Sequence, residues 1–242
     1  MSNGIKRSVI GSMVYTSNQE HRLHAERGRE SFRFDWHQDG SMTLAAHCEI
    51  DDAPPVVRDV NLRLDAQRMP RESFVRIAVD GRFRGSGWFL FNGNEAQCEA
   101  FTTIEGRVSQ RLKLEQPLRA FGNHAIINDG YAMALYDLSQ GPGTQLIHPM
   151  LLSSPDHRGA TGPMLFQISL AIEYVGETDI DVIAGHFKAR HFRIVDVPGM
   201  PEGHPAYDLW VTADDDYVLL KAEVGGYMQT AYELTDYQLV EH

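Results

Sequence analysis

The sequence predicts an all-β fold, a large curved antiparallel sheet or half-open β-barrel with one helix packed in or across it. Three observations carry this. Short runs rich in Val, Ile, Tyr, Phe and Trp recur about every 8–12 residues, and most of them alternate apolar with polar side chains. Asp-Gly and Asn-Gly pairs punctuate the runs, and both central residues of a tight hairpin turn need positive φ, which these residues tolerate. Only one segment has a helical period with a cap and a stop.

Taken in order, residues 1–28 form a poorly patterned, polar N-terminal segment. Glu30–Trp36 alternates cleanly, with Phe32, Phe34 and Trp36 on one face, and His37 to Gly40 turns the chain into a returning strand, Ser41–Ile50. Asp51–Pro55 breaks the chain; Val56–Ala66 resumes the alternation, and Phe74–Val79, Gly85–Phe91, Gln97–Ile104 and Gly106–Glu115 follow, separated by Asp80-Gly81, Asn92-Gly93 and Glu105-Gly106. The first half thus reads as about eight antiparallel strands. Asp129–Ser139 is the helix: Asn128 or Asp129 can cap it, Tyr131, Leu135 and Leu138 share a face, and Gly141-Pro142 stops it. Gln145–Leu152 and Met164–Val175 are further strands, with a turn at Gly176-Glu177. A closing meander covers Asp179–Ile194, Tyr207–Thr212, Tyr217–Val224 and Tyr227–Tyr237. No repeat, heptad or low-complexity tract divides the chain, so residues 1–242 are expected to form a single domain.

The closing third carries a resemblance. The run from Ile172 to Arg193 (IEYVGETDIDVIAGHFKARHFR), then Tyr207–Thr212 (YDLWVT) and Tyr232-Glu233-Leu234, resembles an uncharacterised bacterial β-sheet family. That family is related in fold to the periplasmic lipoprotein carriers, whose unclosed barrel wraps a concave sheet around an apolar cavity. The likeness covers roughly residues 165–240, and it implies a cavity rather than a reaction.

Composition narrows the partners. The 242 residues carry a formal charge of −11, with 33 acidic residues against 22 Lys and Arg. Nucleic acid and anionic membrane both call for a basic surface, and neither is expected as a partner. No apolar run reaches the roughly 18–20 residues of a spanning helix, and no signal-like run follows Lys6-Arg7, so a cytoplasmic location is expected and membrane insertion is not. Cys48 and Cys98 stand alone, too few for a structural zinc site. HExxH, GxSxG, GxGxxG and the P-loop pattern are absent, and His186 and His191 fall on opposite faces of a strand. Neither a metal nor a cofactor is expected. The oligomeric state is not legible.

Candidate chemistry concentrates in three places. His124 precedes the helix and Asp129 starts it, so a bend there would let the carboxylate orient the imidazole, with Tyr131 nearby to steady an oxyanion; the plainer alternative is an ordinary cap and a surface His. On the strand through Gly185–Arg193, Phe187 and Ala189 suit a cavity lining, which would bring His191 and Arg193 inward; the alternative is cross-strand ion pairing with Glu223 or Asp208. The loop Ser153–Pro163 has the Gly and hydroxyl content of a lid or ligand clamp, as many surface loops do. Phe187, Trp210 and Tyr232 are expected to line an apolar pocket. Two functions follow: a cofactor-independent lyase, hydratase or isomerase acting on a hydrophobic small molecule through His124, Asp129, His191, Arg193 and Tyr131, or a non-catalytic carrier or sensor of an apolar ligand.

Overall fold

Among the described residues, fifteen strands join edge to edge in one sheet that curls around a concave face and does not close. The computed structural model describes residues 4–200 and 203–242. Its first eight strands are β1 (Ile5–Ser17), β2 (Glu26–His37), β3 (Met42–Ile50), β4 (Val56–Leu64), β5 (Pro70–Val79), β6 (Arg82–Asn92), β7 (Glu95–Thr102) and β8 (Gly106–Lys113). After β9 (Ala120–Gly122) and helix α1 (Ile126–Met133) come β10 (Gly143–Leu152), β11 (Phe166–Val182), β12 (Gly185–Asp196), β13 (Tyr207–Thr212), β14 (Leu219–Val224) and β15 (Thr230–Glu241). In space the order runs β8 through β1, then β15 down to β9. The first and last strands therefore pair at the centre, and the sheet grows outward from them to its two open edges. Every pairing is antiparallel except β9 with β10, which is parallel.

The segment read as unpatterned contains the central strand β1. Val9, Met13 and Tyr15 point into the core, but Gly11 and Ser17 occupy the same face and break the apolar alternation. Gly11 is there because the Phe32 ring of β2 lies across it: a Cβ would stand 2.6 Å from Phe32 Cζ and 2.5 Å from the Asp236 carbonyl oxygen. An aromatic ring thus covers the space a side chain would fill.

The closing hairpin is also placed differently. β11 runs on through Gly176, where a bulge and a φ of +146° absorb the irregularity, and the chain turns at Ile183-Ala184 instead. Asp80 and Gly81 do both take positive φ, 52° and 67°, as the tight turn between β5 and β6 requires.

The helix starts three residues earlier than the sequence cap indicated and ends at Met133. Ala125 occupies the cap position and offers no side-chain acceptor. The free N–H groups of the first turn are met from the sheet instead: Glu30 of β2 accepts from Ile126 N (2.9 Å) and Ile127 N (3.0 Å). The same carboxylate accepts from Tyr15 Oη (2.7 Å) and Cys48 Sγ (3.0 Å). A buried anion thus pins α1 inside the concave face, where the dipole favours negative charge.

The concave face of β2–β7 is filled by side chains. Phe34, Leu44, Leu62, Ile77 and Phe89 are all essentially without exposure. Phe121 of β9 packs over Phe89 and Phe91 at ring-centroid distances of 4.9 and 4.8 Å. Each such side chain contributes about 1.5–3 kcal/mol of burial.

Candidate ligand-binding site

Between α1 and the concave face of the C-terminal strands the packing stops, leaving a cavity of about 250 Å³. Its apolar wall comes from Met133, Met150, Leu152, Ile168, Leu170 and Ile194. One part of the wall is polar: Arg58, His124, Asp129, Tyr207 and Tyr232. At the rim stand Arg27, Asp52, His157 and Arg158.

Asp129 lies in the first turn of α1, not at its cap, and its Oδ2 accepts from Tyr207 Oη of β13 at 3.1 Å. Burial pushes its pKa up to about 7, against the lowering effect of that hydrogen bond, and the Glu30 charge adds to the rise. His124 has a φ of 63°, in the left-handed region, and its Nε2 lies 3.2 Å from the Ser154 carbonyl. A carbonyl only accepts, so Nε2 carries the proton and Nδ1 is left as an acceptor. Burial, reinforced by the Arg58 cation, lowers this imidazole to about 3. At neutral pH it is uncharged.

The expected His124–Asp129 dyad is not assembled. Both side chains border the cavity, but Asp129 bonds Tyr207 and His124 bonds Ser154. The cause is the cap: with Ala125 in that position, Asp129 is already helical, and no bend falls between it and His124's neighbours. Tyr131 is buried elsewhere, its hydroxyl donating to the Arg68 carbonyl at 3.3 Å, and it does not border the cavity.

The inward orientation expected for His191 and Arg193 is corrected by the structure. Phe192 and Ile194 of β12 take the concave side, so their neighbours project outward. There His191 Nε2 meets Asp208 Oδ1 at 2.7 Å and Arg193 Nε reaches the same oxygen at 3.0 Å. The His191 ring stacks on Trp210, centroids 4.4 Å apart and planes 10° from parallel. Phe187 packs edge-on against Tyr237 of β15, partly buried against the core and away from the cavity. Of the three expected lining residues only Tyr232 borders the cavity.

Glu30 and Arg58 escaped the sequence reading, although a signal existed. Glu30 is in phase with Phe32 and Phe34, and Arg58 with Val56, Val60 and Leu62. A charge in phase with inward apolar positions marks a buried charge. Arg58 is 2% exposed, and its two terminal nitrogens donate to the carbonyls of His124 and Arg158. Arg158 in turn donates to the carbonyls of Asp52 (3.1 Å) and Pro54 (2.9 Å). The loop Ser153–Pro163 is thereby strapped across the cavity, with Gly159 pressed so closely on His124 and Arg58 that a Cβ would stand 2.8 Å from each. Among the described residues no group of three or more His, Cys, Asp or Glu is placed to hold a metal ion, and no helix is long and apolar enough to cross a membrane.

An open, curved β-sheet around a concave face defines a β-barrel-like class of protein. The chain shares that fold with a β-barrel-like protein of the domain of unknown function DUF1849 from Brucella abortus, at a TM-score of 0.58 and 11% identity over 98% of both chains. Weaker likenesses are to a DUF1089 family protein from Pseudomonas aeruginosa (TM-score 0.41, 14% identity, 83% of this chain and 90% of that one) and to a Bacteroides fragilis protein with a YmcC-like fold (TM-score 0.36, 8% identity, 96% and 95%). No protein-family model matches the sequence, and no curated protein matches it. The half-open-barrel likeness first visible over residues 165–240 thus extends to nearly the whole chain, as a likeness of fold.

Proposed function

We propose that the protein binds a hydrophobic small molecule in the cavity under α1 and serves as its carrier or sensor. The observation that carries this reading is the cavity itself, about 250 Å³ of mostly apolar-walled space. A cavity of about 150 Å³ lined by Leu, Ile and Phe already takes benzene, so this one has room for a larger guest. Four methionines, Met133, Met150, Met200 and Met228, border it, and their unbranched side chains re-pack around different shapes.

The reading is tested by titrating the protein with an environment-sensitive apolar dye such as ANS and displacing it with alkanes, alcohols and acids of six to twelve carbons. Saturable, displaceable binding supports the carrier; absence of any binding to the native protein overturns it. A cofactor-independent lyase, hydratase or isomerase is the second reading, and one observation favours it: Asp129, brought to about 7, is suited to hold and release a proton near neutrality beside Tyr207. Asp129→Asn separates the two. An enzyme loses ~10²–10⁴-fold in turnover with ligand binding intact, whereas a carrier changes only in affinity.

A further inference from the structure

Arg58 is a buried cation without an ionic partner. Among the described residues it forms no ion pair, and Glu30, the other fully buried charge, is met by hydrogen-bond donors rather than by a cation. The nearest anion on its face is Glu30, but Cys48 stands between them in the cross-strand row Glu30, Cys48, Arg58. The Glu30 carboxylate is also fully engaged by four protein donors. The Arg58 fork gives one hydrogen bond to each of two carbonyls, and its Nε is buried with no acceptor at all. A guanidinium has five N–H donors in a plane; beyond the two carbonyls, the Cys48 thiol of the next strand is a weak acceptor within reach, and no described carboxylate meets the fork. Neutral carbonyls do not compensate a buried full charge.

We infer that the ligand of this cavity is an amphiphile with a carboxylate head, seated with the head against Arg58 and Asp129 and the chain along Met150, Leu170 and Ile194. The inference rests on the apolar-ligand reading above and adds the head group to it. Planar carboxylate matches the guanidinium fork in two parallel hydrogen bonds. Asp129 lies within electrostatic reach of Arg58, and its Oδ1 has no partner among the described residues, so in the protonated state it can donate to the same head. A phosphate head fits less well: its second charge would meet one cation with Glu30 and Asp129 close by. The groups facing Asp129 are Arg58 from β4, Glu30 from β2, Tyr207 from β13 and Tyr232 from β15; among the described residues Arg58 and Glu30 are the full charges that act on it. Ionising Asp129 beside a ligand carboxylate puts two anions on one guanidinium. Affinity therefore falls as pH rises through about 7, while the ligand itself stays ionised.

The experiment is calorimetric titration of the full chain with octanoate, 1-octanol, octylamine and octyl phosphate. Octanoate is expected to bind at least about tenfold more tightly than 1-octanol, the scale of a charge-assisted hydrogen bond, and octylamine and octyl phosphate more weakly than either. Its affinity should weaken between pH 6 and pH 8, and Asp129→Asn should flatten that dependence. Arg58→Gln should erase the preference for octanoate over octanol. If that variant does not fold, the wild-type series still decides. Equal or tighter binding of 1-octanol overturns the carboxylate head and leaves the apolar-ligand reading standing, and tighter octyl phosphate replaces it with a phosphate. If none of the four binds and ANS is not taken up, both readings fall.

Discussion

The two halves of the sheet have the same alternating pattern and different interiors. Over β2–β7 the concave face is filled by Phe89 and Phe91 packed ring to ring with Phe121, and by Phe34 against Phe32 and Trp36. Over β10–β15 the positions facing the cavity are mostly Met, Leu, Ile and Val, with Tyr207 and Tyr232 at its polar end, and the helix that faces them is only eight residues long. One half therefore fills itself, and the other leaves a space. Alternation specifies which side chains point inward, but the volume they fill decides whether a curved sheet becomes a core or a container.

The difference is best broken at the anion that holds the helix in the open half. Glu30→Ala leaves two helix N–H groups, the Tyr15 hydroxyl and the Cys48 thiol without their acceptor. A loss of more than about 4 kcal/mol is expected, seen as a collapse of the denaturant midpoint, because each stranded buried donor costs about 1–3 kcal/mol. In the filled half, Phe89→Ala should cost about 3–5 kcal/mol. In the open half, Met150→Ala should sit near the low end of its range, about 2 kcal/mol, since that side chain already borders unfilled space, and it should widen ligand choice. Equal costs at the two positions, measured by urea unfolding, would remove the distinction between core and container.

His124 and Asp129 sharpen the comparison through pH. Folded His124 stays neutral down to about 3 while the unfolded residue protonates at its ordinary 6.5. The unfolded chain thus binds more protons in that window, and this residue's contribution to stability is lost as pH falls. Asp129 runs the other way: folded, it keeps its proton up to about 7, whereas unfolded it releases it near 3.8, so its contribution is lost as pH rises. Between pH 4 and 6.5 the two slopes, each about 1.4 kcal/mol per pH unit, oppose one another. These two contributions should nearly cancel there. His124→Asn, which tolerates the left-handed backbone, should unmask a fall in stability with rising pH; Asp129→Asn should unmask a fall with acidification. Parallel pH profiles for all three proteins would show that these groups are not buried as described.

The smallest effect belongs to the outer face. His191 and Arg193 share Asp208 at a partly exposed position, so His191→Ala should change stability by no more than about 1 kcal/mol and leave ligand affinity unchanged. A large loss of binding there would place the site on the wrong side of the sheet.

By itself the sequence determined the class: an open antiparallel sheet with one helix is legible because strand alternation and Asp-Gly turns are local properties. It also made the closing meander and its half-open-barrel likeness visible. β1 escaped because Gly11 answers to Phe32 on another strand, a contact with no local trace. The helix start was misplaced because its cap comes from Glu30, ninety-six residues before Ile126, and local capping rules see only neighbouring side chains. Which face of β12 points inward was undecidable from parity alone, since either choice buried apolar groups; the cross-strand pairs of Phe192 with Leu209 and Ile194 with Tyr207 settled it and turned His191, Arg193 and Trp210 outward. The polar end of the cavity, with Arg58, Asp129 and Tyr207 drawn from β4, α1 and β13, exists only once the sheet has curled, because groups far apart along the chain meet only across a concave surface.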